Sequence, residues 1–284
     1  MLIKSLSGFL ASIQLNLVSI HYFQSIKLSH ACMNQRNLIV TFSIVILVTI
    51  LMSMTKPPTF RAMVILSRAV DHIKMMTSAR PFLERMAQES NFVVDITDDT
   101  SQLNDTNLAQ YQVVIQLQQA PFDMSQVQQD ALQRFIMQGK GWVGIHAAGL
   151  TGRDFVSPSK RYWQWFEDLM GGVIYSPHPK FQKGTVVVED RKHPATKNLP
   201  AKFEVSDEWY EFNRSPRPNV HVLATADEST YKQNKPMGDH PIIWTNPKFR
   251  RMIYIGIGHD ASLCQDDNFF KLVRDAVLWA GEKQ

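Results

Sequence analysis

The residues able to do chemistry here are histidines and one acidic, aromatic stretch. The sharpest local feature is Gly139-Lys140-Gly141-Trp142-Val143-Gly144-Ile145-His146-Ala147-Ala148-Gly149. An apolar strand ends at His146 and small residues follow at once. That pattern permits a tight strand-to-helix turn of the nucleophile-elbow kind, with an imidazole at the apex instead of Ser or Cys. The glycines precede the strand or lie within it. The spacing therefore fits neither a P-loop nor a dinucleotide fingerprint, and no nucleotide cofactor is implied. In Asp207-Glu208-Trp209-Tyr210-Glu211-Phe212, acids stand beside aromatics. Carboxylates can grip sugar hydroxyls, aromatic faces can cover sugar rings, and a carboxyl desolvated by Trp can become a general acid or base. The same stretch also reads as a half-buried strand with its charges in water.

Gly238-Asp239-His240-Pro241 precedes an apolar run, whereas Gly256-Ile257-Gly258-His259-Asp260 follows one, so His259 mirrors His146. His178, His193 and His240 each precede proline, which pushes them out of the helical region into fixed loops. Each alone reads as a turn histidine. Together, His146, His178, His240 and His259 can converge, although no pair has the short His-x-x-x-His spacing. A divalent metal is compatible with such a set but not indicated by it. Cys264 has Asp266 and Asp267 nearby and no basic neighbour, so it reads as an inert thiol. The assignment that follows makes His146, Glu208, His240 and His259 the catalytic acid–base groups. His72, His178, Trp209 and Tyr210 then bind substrate.

These side chains need a frame, and the chain from Phe60 onward supplies one. Apolar runs at Ala62–Leu66, Phe92–Val94, Val113–Ile115 and Trp142–Ile145 alternate with amphipathic stretches. Met76, Ala79, Leu83 and Met86 mark a first helix that Pro81 must start or kink. Val127, Ala131 and Phe135 mark another, opened by Ser125 and Gln128 as a capping box. Further strands are expected at 185–188, 220–224, 242–244 and 252–257, with a closing helix over 269–280. Near-continuous apolar strands alternating with helices give a flavodoxin-like, doubly wound, mainly parallel sheet with helices on both faces. Ligands of such sheets sit beyond the carboxyl ends of the strands, where His72, His146 and His259 fall. His240 lies just before its strand, so its loop would have to fold back.

Composition narrows the classes. Of 284 residues, 44% are hydrophobic and 20% charged, which excludes a disordered or fibrous chain. Two cysteines exclude a disulfide framework or a four-thiolate zinc site. The net charge is +4, but residues 1–54 hold Lys4, Lys27 and Arg36 and no acid, leaving 27 basic against 26 acidic residues in the body. That balance gives no basic footprint for nucleic acid. Leu38–Met54 is an uncharged apolar run behind Arg36, ended by Pro57-Pro58. It reads as a secretory signal or a short membrane anchor, so residues 1–58 form a leader, 60–284 one domain, and the protein is exported. Met33 lies where such a signal would begin, and translation is expected to start there.

Taken together, the motifs resemble the ThuA-like (trehalose-utilisation) family, whose domain is similar to class I glutamine amidotransferases. The residues carrying the likeness are GKGWVGIHAAG at 139–149, WFEDLMGG at 165–172, HP at 178–179 and HPAT at 193–196. DEWYEF at 207–212, NVHVLATADE at 219–228, GDHPIIW at 238–244 and IGIGHD at 255–260 complete it. The resemblance implies the flavodoxin-like fold and a link to carbohydrate metabolism, without fixing a reaction. The amidotransferase nucleophile would be a Cys at the elbow; His146 stands there, so glutamine hydrolysis is not expected. The family's first loop commonly reads Gly-Phe-Arg-His-x-Ser; here His72 fills the histidine position and the arginine has no counterpart. Three functions compete. The first is an exported enzyme, a hydrolase or isomerase, acting on a sugar or keto-sugar by His/Glu acid–base chemistry. The others are a non-catalytic carbohydrate-binding accessory protein and a metal-dependent hydrolase.

Overall fold

A computed structural model describes residues 57–156 and 161–282. The apolar run at 38–54 and the proposed start at Met33 lie outside the described residues. β1 (Arg61–Leu66), β2 (Val93–Thr97), β3 (Val113–Leu117), β4 (Gly141–Ile145) and β11 (Met252–Ile255) form a parallel core in the order β2-β1-β3-β4-β11. This is the doubly wound, flavodoxin-like arrangement, with the order reversing beside β1. Side chains alternate across it as a two-sided sheet requires. Ala62, Val64 and Leu66 of β1 enter one apolar cluster, and Met63 and Ile65 enter the other. The first cluster is covered by α1 (Ile73–Ser90) and α5 (Asp267–Gly281) through Phe82, Leu83, Phe269 and Val273. The second is covered by α2 (Asp105–Leu108), α3 (Gln126–Met137) and α4 (Gln164–Leu169) through Leu108, Leu132, Phe135 and Phe166.

The local signals act as expected at α3, where Ser125 accepts from the Gln128 amide and the Gln128 side chain accepts from the Ser125 amide. Val127, however, faces solvent. Pro81 sits within α1 and does not start it. The helix begins eight residues earlier, and its apolar face through Met75, Ala79, Phe82 and Met86 holds it to the sheet. Beyond β11 the sheet continues antiparallel as β10 (Pro241–Thr245), β9 (His221–Asp227), β6 (Gln182–Val188) and β7 (Lys202–Asp207). β7 has no counterpart among the expected strands. The acidic, aromatic stretch is split: β7 ends at Asp207, β8 (Glu211–Phe212) pairs with β5 (Tyr175–Ser176), and Glu208–Tyr210 make the corner between them.

Register brings the carboxyl ends level. Leu66 pairs with Leu117, Leu117 with Ile145, and Ile145 with Ile255. Ser67, Gln118, His146 and Gly256 therefore leave the sheet side by side on one edge. Among the described residues, no helix is long and apolar enough to cross a membrane.

Candidate active site

His146 is the fixed point of that edge. It follows β4 directly with φ 56°, the left-handed region, and is fully buried. A histidine held there costs on the order of 1–3 kcal/mol, the strain a nucleophile elbow stores at its apex residue. The Tyr254 hydroxyl donates to its carbonyl at 3.0 Å, and its ring Nδ1 lies 3.1 Å from the Gly256 carbonyl. A carbonyl can only accept, so Nδ1 carries the proton and Nε2 presents a lone pair. That lone pair points toward Glu208, with Nε2 3.4 Å from Oε2 and no hydrogen bond formed.

Two more imidazoles meet the same oxygen. His259 Nδ1 is 3.2 Å and His178 Nε2 3.3 Å from Glu208 Oε2. His178 Nδ1 donates to the Pro179 carbonyl at 2.7 Å. His72 closes the group: its ring stands edge-on to His259 and His146, with centroids 5.7 and 6.4 Å away, and its Nδ1 is 3.1 Å from Ser67 Oγ. Tyr210 forms a wall, its ring centroid 4.1 Å from that of His146 and stacked on His178. Three of the histidines singled out in the sequence thus meet around one glutamate, with His72 against two of them. Atoms of His146, Glu208 and His259 lie within 4.8 Å of one another, close enough to share one metal ion.

Burial and charge set the protonation. Burial pushes His146 down to about 4, with the adjacent carboxylate pulling the other way, so the ring is neutral near pH 7. Burial works to raise Glu208, but the histidines around it outweigh that and hold its carboxyl below the usual range. Burial lowers His72 as well. Asp207 is fully buried beneath the cluster and pushed up to about 8. It accepts from the amides of Glu208 at 2.7 Å, Gly258 at 2.8 Å and His259 at 3.3 Å, and lies 3.8 Å from His146 Nδ1. One carboxyl group therefore fixes the backbone at two members of the cluster and borders a third.

A family model described as trehalose utilisation matches residues 61–280. The chain belongs to the ThuA family. A ThuA-like protein of known structure from Bacteroides uniformis is 31% identical, with a TM-score of 0.71 over 80% of this chain and 93% of that one. Another from Parabacteroides merdae has the same fold at 17% identity, with a TM-score of 0.59 over 80% and 90% of the two chains. No curated protein matches. Membership supports a carbohydrate-related role for this ThuA protein.

Two of the expected site residues, His240 and Trp209, take other places in the ThuA domain. His240 does not join the cluster. Its Nε2 donates to the Tyr210 carbonyl at 2.9 Å, and its Nδ1 meets the Tyr231 hydroxyl at 2.9 Å and Glu228 at 3.0 Å. With both nitrogens engaged and the side chain fully buried, it is a positioning residue that anchors the backbone behind Tyr210. Trp209 is buried, donates to the Gln182 carbonyl and stacks on Tyr231, so it is core and presents no face to a sugar. Tyr210 is buried too and lines the cluster as a wall.

Two residues that sequence reasoning passed over belong to the site. Gln118, at φ 55° just past β3, donates through Nε2 to the carbonyls of Gly258 and His259. Its signal was a polar run, Gln116-Leu117-Gln118-Gln119, at the end of an apolar strand. Phe181 is 45% exposed with its ring centroid 6.2 Å from that of His259, and nothing in its sequence context marks it. Cys264 is buried against Met75, and burial raises its thiol to about 11.

Proposed function

We propose that this ThuA protein is an exported enzyme that moves protons on a sugar or an oxidised sugar derivative at the Glu208 cluster. The observation that carries the reading is a charged carboxylate held against three imidazoles at the carboxyl edge of the sheet, the edge where doubly wound folds bind ligands. Titratable groups gathered this densely, with perturbed protonation, mark catalysis more than simple binding.

Roles follow from exposure. Glu208 and His178 keep 19% and 27% of their side-chain surface, so they can exchange protons with a substrate and with solvent. His146 is buried and neutral, better suited to hold a ligand than to shuttle protons. Phe181, exposed beside His259, supplies the apolar face for a sugar ring in place of the buried Trp209. A cleft of about 440 Å³ is lined by Ser67, Arg68, Ile73, Met76, Arg80 and Asp98, and the Ser67 hydroxyl meets His72 of the cluster. Export rests on the apolar run at 38–54.

The test is product analysis of the purified chain against a panel of disaccharides and keto-saccharides, with Glu208→Gln and His178→Ala beside the wild type. Removing a positioned proton-transfer group costs on the order of a hundred- to ten-thousand-fold in rate. Turnover unchanged in Glu208→Gln would refute the assignment. Sugar binding without any turnover would make the protein a carbohydrate-binding accessory. Cell fractionation checks the location, and protein retained in the cytoplasm would refute export.

A further inference from the structure

We propose that His146 Nε2, His259 Nδ1 and Glu208 Oε2 bind one divalent first-row transition cation of the zinc class. The inference deepens the functional reading, and rests on it for what the ion does, not for whether the ion binds.

A cation would remove an electrostatic contradiction in the cluster. His146 has committed its Nδ1 proton to the Gly256 carbonyl and aims a bare lone pair at a carboxylate oxygen 3.4 Å away. His259 Nδ1 approaches the same oxygen to 3.2 Å. Both nitrogens are buried and make no hydrogen bond. His259 can donate its own Nδ1 proton to that oxygen, but the His146 lone pair facing it stays unsatisfied, at a cost on the order of 1–3 kcal/mol. A cation between them satisfies all three atoms. Protonating His146 is the alternative, and its complete burial opposes that.

Zinc bonds to imidazole nitrogen and carboxylate oxygen are about 2.0–2.2 Å, so two ligand atoms of a tetrahedral site stand roughly 3.3–3.5 Å apart. The N···O separations of 3.4 and 3.2 Å lie at or just under that edge length, and all three atoms lie within 4.8 Å of one another. Two imidazoles and one carboxylate suit zinc, iron, nickel or copper and disfavour magnesium and calcium. Three protein ligands leave a position open for a substrate oxygen, as catalytic sites do.

Metal-binding histidines usually donate their other ring nitrogen to a carbonyl or carboxylate, which fixes tautomer and orientation. His146 does so to Gly256, and Asp207 holds the backbone amides of Glu208 and His259. His178 is then left beside Glu208 as a proton-transfer group. The three ligands come from separate loops at positions 146, 208 and 259, so no short motif announces them.

The test uses the untagged full chain, stripped with chelator and titrated with Zn²⁺ by calorimetry and with Co²⁺ by visible absorption. One equivalent should bind, and Co²⁺ should give the absorption of a low-symmetry nitrogen and oxygen site. Glu208→Gln and His259→Ala should each weaken binding by about a hundredfold or more, since loss of even an outer-shell partner costs 10–100-fold. His221→Ala, which alters a surface histidine paired with Asp190, should leave binding unchanged. His21, His30 and Cys32 persist in every variant, so loss of binding in the first two assigns the ion to this site. Glu208→Gln is nearly isosteric, and the wild-type stoichiometry stands even if His259→Ala fails to fold. Absence of saturable binding, or binding that survives both ligand variants, overturns the proposal. One bound ion with no sugar turned over keeps the metal site and refutes the functional reading. Full turnover by stripped protein that binds no ion does the reverse.

Discussion

Removing the Asp207 carboxyl should loosen the site and the domain together. Asp207→Ala strands three backbone donors, the amides of Glu208, Gly258 and His259, in a part of the molecule where Asp207 itself is fully buried. A buried donor left without an acceptor costs about 1–3 kcal/mol. The His259 contact is long at 3.3 Å and the corner at Glu208 is partly open to water, so the total falls near the lower end, about 3–6 kcal/mol. No large offset comes from removing a buried charge, because burial pushes Asp207 up to about 8 and leaves the group mostly protonated at neutral pH. For a domain of this size about 2–4 °C of Tm is lost per kcal/mol, so thermal unfolding followed by circular dichroism should shift down by roughly 6–24 °C. Asp207→Asn keeps the shape and one acceptor oxygen but turns an NH₂ group toward the amides, so its loss should be intermediate. If Asp207→Ala unfolds within about 1 °C of the wild type, the carboxyl does not brace these loops and the account of how the cluster is held fails.

Other consequences are checkable more simply. Gly258 has φ 149°, and a Cβ there would lie 2.5 Å from Ile145 Cγ2 and 3.3 Å from His146 Cβ; Gly258→Ala should cost about 2–4 kcal/mol in urea unfolding and disturb the site, whereas a midpoint like the wild type's would contradict the strain argument. Burial works to raise Glu228, but the amides of Met237 and Gly238 and the His240 ring hold its carboxyl below the usual range. A carboxyl depressed in the folded state stabilises above its unfolded pKa of about 4.3 and stops doing so as pH falls through the folded value. Urea midpoints of Glu228→Gln should therefore trail the wild type at pH 7 and converge with it in acid; a gap independent of pH would sink this. Cys264, buried with its thiol raised to about 11, should resist iodoacetamide at pH 8 in the folded protein and react after denaturation, as peptide mapping would show.

Much of the fold was legible because its signals are local. Each parallel strand is an apolar run, Ser125 and Gln128 set their own helix start, and the carboxyl-edge rule placed His72, His146 and His259 together. Trp209 was misread for a physical reason. An aromatic beside an acid has the same composition whether its ring faces a ligand or the core, and here the Trp209 ring packs on Tyr231 while the Tyr210 ring lines the cluster. His240 misled differently: its strand runs antiparallel, so its start does lie at the ligand edge, yet both ring nitrogens are taken up by Tyr210, Tyr231 and Glu228. Spacing along the chain also hid the metal-type cluster, since its ligands are neighbours only after three loops fold against one another.

The position of Glu208 required knowledge that no local pattern holds. It follows β7, five strand steps from β4 in the sheet, so at about 4.8 Å per step a flat sheet would put them roughly 24 Å apart. Yet Asp207 Oδ1 is 3.8 Å from His146 Nδ1, and Glu208 Oε2 is 3.4 Å from Nε2. The antiparallel extension must therefore curl back until its far edge overhangs the carboxyl ends of the parallel core. Strand twist accumulates toward such coiling in large sheets, and the register shifts between β9 and β10 are irregularities of the kind that sharpen it. The corner at Glu208–Tyr210 is then held by Asp207 from one side and by His240, through the Tyr210 carbonyl, from the other. In this view the parallel half supplies the histidines and the curled half brings the acid to them. His240 matters to the site without entering it: loosening its grip on Tyr210 should move the wall behind His146 and displace Glu208, two residues away.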